Sequence, residues 1–321
     1  MRNSGQRTKA DTIATLKHYS AVILLVIMLL LNLVITPNFF KVGTVWNIVT
    51  QTCTIILTGM GMTAVISTGG IDISVGAVMA LAGIISAKLL ETVGLVPAII
   101  IAVLICSISG MIAGFMVGKL KVQAMVVTLA LMIGVRGVAQ LINDAKIFYI
   151  TGAHADTYKK LGTAKIGGVL PIQAIIIVVA VVITWFILEK TILGRHIQAV
   201  GDNPRSALLA GISATKTLMF VYIYSAVFAA FAGVVASAKI GAADGNSLGL
   251  LAELDAIAAV AVGGTSMSGG RAKVFGTVIG ALIMQLINIT VNMNNITYEY
   301  AQVFKAIIIV FAVYIQRDKA A

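Results

Sequence analysis

The stretch Ile66–Gly83, ISTGGIDISVGAVMALAG, decides how the rest of the chain is read. A carboxylate, Asp72, stands there beside two glycines, Gly69 and Gly70, and next to Ser74, with long apolar runs on either side. Glycines permit backbone conformations that other residues resist. Asp72 and Ser74 are suited to capping the free N–H groups where a helix starts. The flanking runs are long enough to cross a bilayer. A broken helix at that depth is tolerated only where it is buried in protein or lines a cavity. Two readings follow: a simple helix cap, and a pore-lining hinge.

Working outward, composition sets the class. The 321 residues are 59% hydrophobic and 11% charged, against about 25% charged in soluble domains. So little charge cannot cover a surface facing water, and the chain reads as an all-α polytopic membrane protein. Spanning a core of about 30 Å takes roughly 20 apolar helical residues. Ten candidate spans follow, near 19–36, 44–66, 74–90, 95–117, 123–142, 171–189, 217–238, 254–268, 274–292 and 300–315. The third and eighth are short. The basic start runs into the first span and then into TPNFF without a cleavage site, which predicts a retained helix.

The formal charge of +11 does not form a basic face for nucleic acid. With the N-terminus inside, fourteen lysines and arginines fall in inner segments and seven in outer ones, while Arg136 and Lys305 lie within spans. That asymmetry puts both termini in the cytoplasm. It makes 1–18 a cytoplasmic segment, 143–170 an extracytoplasmic loop and 189–216 a cytoplasmic loop. Ten spans divide into two five-helix halves, and an odd number per half inverts the second relative to the first. Gly110, Gly114 and Gly118, and again Gly276 and Gly280, recur every four residues and predict close helix packing.

Polar residues form stripes inside the spans. Asn47, Gln51, Thr54 and Thr58 share one face of the second span; Arg136 and Gln140 share one on the fifth. Gln285 and Asn288 do so on the ninth, and Glu253 and Asp255 stand where the eighth begins. All four groups fall in the outer half of the bilayer under this topology. Together they suit a wet cavity for a polyhydroxylated neutral solute. Singly, each also fits helix-to-helix hydrogen bonding worth about 0.6 kcal/mol. Arg136 has a further structural reading, pairing with a backbone carbonyl or Asp144. The stretch GGTSMSGG (Gly263–Gly270) resembles the opening loop and also lies on the inner side, which suggests a paired inner gate.

Cys53 and Cys106 lie in apolar runs without disulfide or metal spacing. No histidine lies in a span, so nothing there activates Ser266 or Ser268 as a nucleophile, and Gly264-x-Ser266-x-Ser268 lacks the closing glycine of a nucleophile elbow. The sequence contains no G-x-x-x-x-G-K-[ST] phosphate loop, so energy for transport comes from another subunit or an ion gradient. An ion-coupled transporter needs ion sites at the midplane, whereas Asp72, Glu253 and Asp255 stand near span ends.

GGIDISVGAVMALAG, ELDAIAAVAVGGTSMSGG and the inner loop LGRHIQAVGDNPRSALLAGIS (Leu193–Ser213) together resemble the membrane permeases of bacterial ABC importers for monosaccharides, the ribose, galactose and galactofuranose group. GVRGVAQLI (Gly134–Ile142) and GAADGNSLGLLAELDAI (Gly241–Ile257) look most like the galactofuranose type. The resemblance implies ten helices in the cytoplasmic membrane and a second permease subunit, self or paralogue. It also implies an extracytoplasmic sugar-binding protein and a cytoplasmic ATPase that carries the ATP and Mg, with no cofactor or metal on this chain. It implies too that the inner loop couples to the ATPase through Gly194, Arg195, Gly201, Asn203, Arg205, Ala207 and Gly211 with Ile212. Asp202 and Pro204 depart from the commonest members. Independently, Asn203 suits an N-cap and Pro204 a first turn. Branched-chain amino-acid, autoinducer and nucleoside permeases of the same superfamily remain alternatives.

Overall fold

Away from water a chain must satisfy its backbone hydrogen bonds within itself, and long apolar runs do so by coiling into helices. The computed structural model describes the backbone of residues 4–316 and the side chains of 20–311. Arg2, Arg317 and Lys319, counted above on the inner side, lie outside the described residues, as do the side chains of Arg7, Lys9 and Lys17. The first helix, α1 (Ser4–Ile35), carries an apolar stretch over Ser20–Ile35. After it come α2 (Val42–Ile66), α3 (Val75–Val93), α4 (Leu95–Gly118) and α5 (Ala124–Ile142). The stretch 143–170 holds β1 (Phe148–Tyr149), α6 (Ala155–Thr163), β2 (Lys165–Ile166) and β3 (Leu170–Pro171). Then α7 (Ile172–Trp185) ends in a wider π-helical turn (Phe186–Lys190). The short α8 (Ile192–Asp202) and α9 (Pro204–Leu209) lead to α10 (Ala214–Ile240) and β4 (Ala242–Ala243). The chain closes with α11 (Ala252–Val262), α12 (Val274–Met293) and α13 (Tyr298–Gln316).

Among the described residues, seven helices are long and apolar enough to cross a membrane: α2, α3, α4, α5, α7 with its π turn, α10 and α12. The eighth expected span departs most from the sequence reading. Its helix, α11, has 11 residues, about 16 Å at 1.5 Å each and half of the hydrocarbon core. The cause lies just after it, where Gly264, Gly269 and Gly270 take positive φ and carry the chain out of helix before the expected end at 268. The third span, expected to be short, is a full 19-residue helix.

Glycines set the helix spacing. Gly110, Gly114 and Gly118 of α4 back onto Tyr222, Met219 and Thr215 of α10, while Gly276 and Gly280 of α12 meet Gly263 and Ala259. In each case a Cβ would strike backbone, so these glycines allow the close approach from which the packing gains its contact. The packing also repeats. Helix α10 packs on α3 and α4, and α2 packs on α11 and α12; α3 contacts α4 and α5, and α11 contacts α12 and α13. Helices α2 and α10 pack on one another at the centre.

The stretch 143–170 folds back onto the bundle. Strands β1 and β4 pair antiparallel, with Phe148 opposite Ala243, and β2 pairs with β3. The polar stretch 143–170 thus contains a helix that sequence reading missed. Its anchor is Tyr158, fully buried, whose hydroxyl bonds Ser86 of α3 and Ser237 of α10 at 2.7 Å each.

Candidate translocation site

The opening loop leaves α2 at Ser67, turns at Gly69 (φ +78°) and runs without helix to Ser74. Asp72 is buried, with 2% of its surface exposed. Its Oδ1 accepts from the Ser74 N–H (3.0 Å) and the Ser74 hydroxyl (2.6 Å), and its Oδ2 accepts from the Ser225 hydroxyl of α10 (2.7 Å). The cap expected of both residues is therefore made by Asp72 alone. Ser74 spends its hydroxyl proton on Asp72 and caps nothing in α3. A buried carboxylate persists only when hydrogen bonds replace its water, and three donors do so here. Gly70 lies against the Tyr222 hydroxyl, and Gly76 lies against the carbonyl of Gly249 and the carboxylate of Glu253.

The loop also meets the turn after α11 and the end of α8. The Ser67 carbonyl accepts from the Gly270 N–H at 3.0 Å, and its hydroxyl reaches the Arg271 carbonyl at 3.4 Å. Gly201, near the end of α8, backs onto both the Ser67 carbonyl and Gly270. Thus STGGID and GGTSMSGG, which read as a pair in the sequence, touch one another and share a contact with the 189–216 loop. Within that loop the Thr191 hydroxyl accepts from the Gly194 N–H, starting α8. Asn203 Oδ1 accepts from the Arg205 and Ser206 N–H groups at 3.0 Å each, and Pro204 opens α9, as the sequence suggested. Gly211 ends that helix with φ +79°, while Ile212 N–H closes on the carbonyl of the buried Ala207. Arg195, Asn203 and Arg205 are exposed, and Leu208 and Leu209 next to them are 67% and 90% exposed.

The second non-helical segment, 241–251, is held by Arg136. Its Nη1 donates to the carbonyls of Gly245 (3.2 Å) and Leu248 (2.7 Å), so of its two structural readings the backbone carbonyl holds, not Asp144. Gln140 Nε2 donates to Asn246 Oδ1 at 2.9 Å, and Asn246 Nδ2 to the Ala145 carbonyl at 2.8 Å. Asp244 ties the turn from within, accepting from the N–H groups of Asn246 and Ser247 and from the Ser247 hydroxyl. Between this segment and α2 lies a cavity of about 360 Å³, lined among others by Thr54, Thr58, Asp244, Ser247 and Asp255. Asp255 Oδ1 receives the Lys305 ammonium at 2.7 Å.

The polar stripes therefore do not meet in one cavity. Thr54, Thr58 and Asp255 line it; Arg136 and Gln140 brace its wall; Glu253 is buried beside Gly76. Asn47, Gln51 and Gln285 instead bond to each other between α2 and α12, Gln51 to Asn47 at 2.8 Å and Gln285 to Gln51 at 3.0 Å. Asn288 Oδ1 is buried without a hydrogen-bond partner among the described residues. Sequence reading missed Asp244, Ser247 and Lys305. The pattern Asp244-Gly245-x-Ser247, with Asp72-x-Ser74 already singled out, was the available signal.

A bundle of membrane-spanning helices interrupted by two non-helical segments, with a part-polar cavity between the second of them and α2, is the architecture of a multi-pass membrane permease. The chain belongs to the family described as branched-chain amino acid transport system / permease component, whose pattern matches residues 44–313. It is 37% identical to the ribose import permease protein of Haemophilus influenzae, over 91% of this chain and 90% of that protein. It is 36% identical to the galactofuranose transporter permease protein of Escherichia coli, over 92% and 88%. Against the galactose/methyl galactoside import permease protein of Salmonella typhimurium the identity is 30%, over 98% of each chain. No solved structure matches it.

Proposed function

We propose that this chain is the transmembrane permease subunit of a binding-protein-dependent ABC importer that moves a monosaccharide across the bacterial cytoplasmic membrane. The sugar is of the ribose, galactose or galactofuranose kind. The observation that carries the reading is the similarity to three sugar permeases over nearly the whole chain. The chain is not itself an enzyme. ATP is hydrolysed, with Mg, on a separate cytoplasmic ATPase. A second permease subunit, a copy or a paralogue, completes the pore, and an extracytoplasmic binding protein delivers the sugar.

The finer architecture belongs to the same proposal. Ten crossings place both termini in the cytoplasm, with α11 crossing as a half-helix completed by segment 241–251. Two inverted five-helix halves are supported by the exchanged packing, α10 on α3 and α4 against α2 on α11 and α12. The shared contact of Ser67, Gly201 and Gly270 supports one common side for their loops, the cytoplasmic side. Loop 189–216 then couples to the ATPase, through Gly194, Arg195, Gly201, Asn203, Arg205, Ala207 and Gly211. The exposed Leu208 and Leu209 give α9 an apolar tip suited to a protein cleft. Loop 143–170 faces outward. Sugar passes along Thr54, Thr58 and Asp255 toward Gly69, Gly70, Asp72 and Ser74.

The family description favours one second reading, a branched-chain amino-acid permease. Uptake of labelled ribose, galactose, galactofuranose and leucine, in cells with and without this gene, separates the two. Loss of one sugar's uptake is expected; loss of leucine uptake alone moves the chain to the amino-acid reading.

A further inference from the structure

Asp72 keeps hydrogen-bonding capacity that its present contacts do not use. Each carboxylate oxygen accepts about two hydrogen bonds. Oδ1 takes both donors of Ser74, whereas Oδ2 takes the Ser225 hydroxyl alone among the described residues. One turn earlier on α10, Tyr222 is fully buried, and its hydroxyl has no hydrogen-bond partner among the described residues. A stranded donor is costly, so a buried tyrosine ordinarily finds an acceptor. Residues three apart share a helix face, and both Tyr222 and Ser225 meet segment 67–74. The Tyr222 hydroxyl lies against Gly70, where a Cβ would come within 2.7 Å of it, and Asp72 is within electrostatic reach.

We propose that Tyr222 is the second holding point of the 67–74 turn: during transport Asp72 passes from the Ser225 hydroxyl to the Tyr222 hydroxyl, one helical turn along α10, and back. The step is three residues, about 4.5 Å of helix. It leaves no group stranded. A released Ser225 hydroxyl folds back onto the carbonyl four residues earlier, that of Val221, as Thr58, Thr63 and Ser86 already do onto Thr54, Gly59 and Ala82. Tyr222 carries its hydroxyl a ring's length from its own backbone and has no such local acceptor. The turn is held at Ser225 by the bond from the Gly270 N–H to the Ser67 carbonyl, with Gly201 of α8 packed on both. Moving that junction frees the turn to step toward Tyr222, which lies nearer than Ser225 to the 189–216 loop along the chain. Tyr222 is thus a positioning residue that acts through Asp72. The assignment rests on the importer reading and names one of its moving parts.

The test compares Tyr222→Phe with the unsubstituted chain, each assembled with its partner permease and ATPase. Here the hydroxyl bonds nothing, so removing it is expected to leave the melting temperature of the detergent-solubilised assembly unchanged or higher. In lipid vesicles supplied with ATP and binding protein, uptake of labelled ribose, galactose or galactofuranose is expected to fall several-fold. Sugar moved per ATP hydrolysed should fall with it. A merely structural role would lower melting and uptake together. Ser225→Ala, which takes a bonded donor from Asp72, is expected to melt earlier and shows that the melting assay registers such a bond. Uptake by Tyr222→Phe equal to the parent's, a lower melting temperature for it, or unchanged melting of Ser225→Ala overturns the assignment. Absence of uptake by the unsubstituted assembly overturns the importer reading itself, and the step with it.

Discussion

Gly270 donates its peptide N–H to the carbonyl of Ser67 at 3.0 Å, joining the turn after α2 to the turn after α11, and Gly201 of α8 packs against both partners. Two turns that interrupt membrane helices are thereby fastened to each other and to the 189–216 loop. A push on α8 reaches both turns without an intervening side chain, and from Ser67 it is five residues to the buried Asp72.

Gly201→Val puts a branched side chain where Ser67 and Gly270 leave no room. Overpacking of this kind costs about 1–3 kcal/mol, and here it should part the three segments while the helices stay inserted. Sugar moved per ATP hydrolysed, measured in vesicles, is expected to fall several-fold. An unchanged ratio would show that the contact carries no coupling.

Arg195→Glu alters an exposed residue of α8, so the bundle should fold and melt as before. ATP hydrolysis stimulated by the loaded binding protein is expected to disappear. Normal stimulation would remove the inner loop as the ATPase contact.

Arg136→Met leaves the carbonyls of Gly245 and Leu248 without their donor. Orphaned buried acceptors cost about 1–3 kcal/mol each, so the detergent-solubilised protein should melt earlier. Segment 241–251 should also become more open to proteolysis from outside. Arg136→Lys, which keeps one donor, is expected to fall between the two. A melting point equal to the parent's would mean that Arg136 braces nothing.

Gln51→Leu strands the amide of Gln285, whereas Gln51→Leu with Gln285→Leu removes both partners. The single variant is expected to lose about 1–2 kcal/mol of stability and the double variant to regain much of it. Sugar uptake by the double variant should stay close to the parent's. Its loss would return these glutamines to the translocation path.

Breaking the pair of Lys305 and Asp255 tests the floor of the cavity. Lys305→Met alone leaves Asp255 uncompensated, a loss of up to about 3–5 kcal/mol when such a pair is buried. Asp255→Leu added to it is expected to restore thermal stability, and a double variant melting no higher than the single would contradict the pairing.

Hydropathy made most spans legible, because an apolar run of the right length has no soluble alternative. The packing glycines were legible too, through their spacing of four. The broken eighth span was harder. Ala252–Val262 stops at the pair Gly263–Gly264, and the positive φ of Gly264 shows where coiling fails, a break that hydropathy averaged over the span does not register. The polar stripes gave the right helix faces and not the partners. Periodicity puts Gln51 and Thr54 on one side of α2, but the neighbouring helix decides whether they meet another amide or open space. Gln285 stands opposite Gln51, and segment 241–251 stands opposite Thr54. Asp244 escaped notice because it lies between spans, where a charge is ordinary until the loop folds inward.

One measurement bears most directly on the whole account: uptake of labelled ribose, galactose and galactofuranose into vesicles containing this chain, its partner permease and the ATPase. Binding protein is added outside, with ATP or an imposed proton or sodium gradient as the only energy source. The account predicts uptake of one of these sugars with ATP and binding protein together, and none with either gradient. Uptake on a gradient alone, without ATP or binding protein, would contradict it.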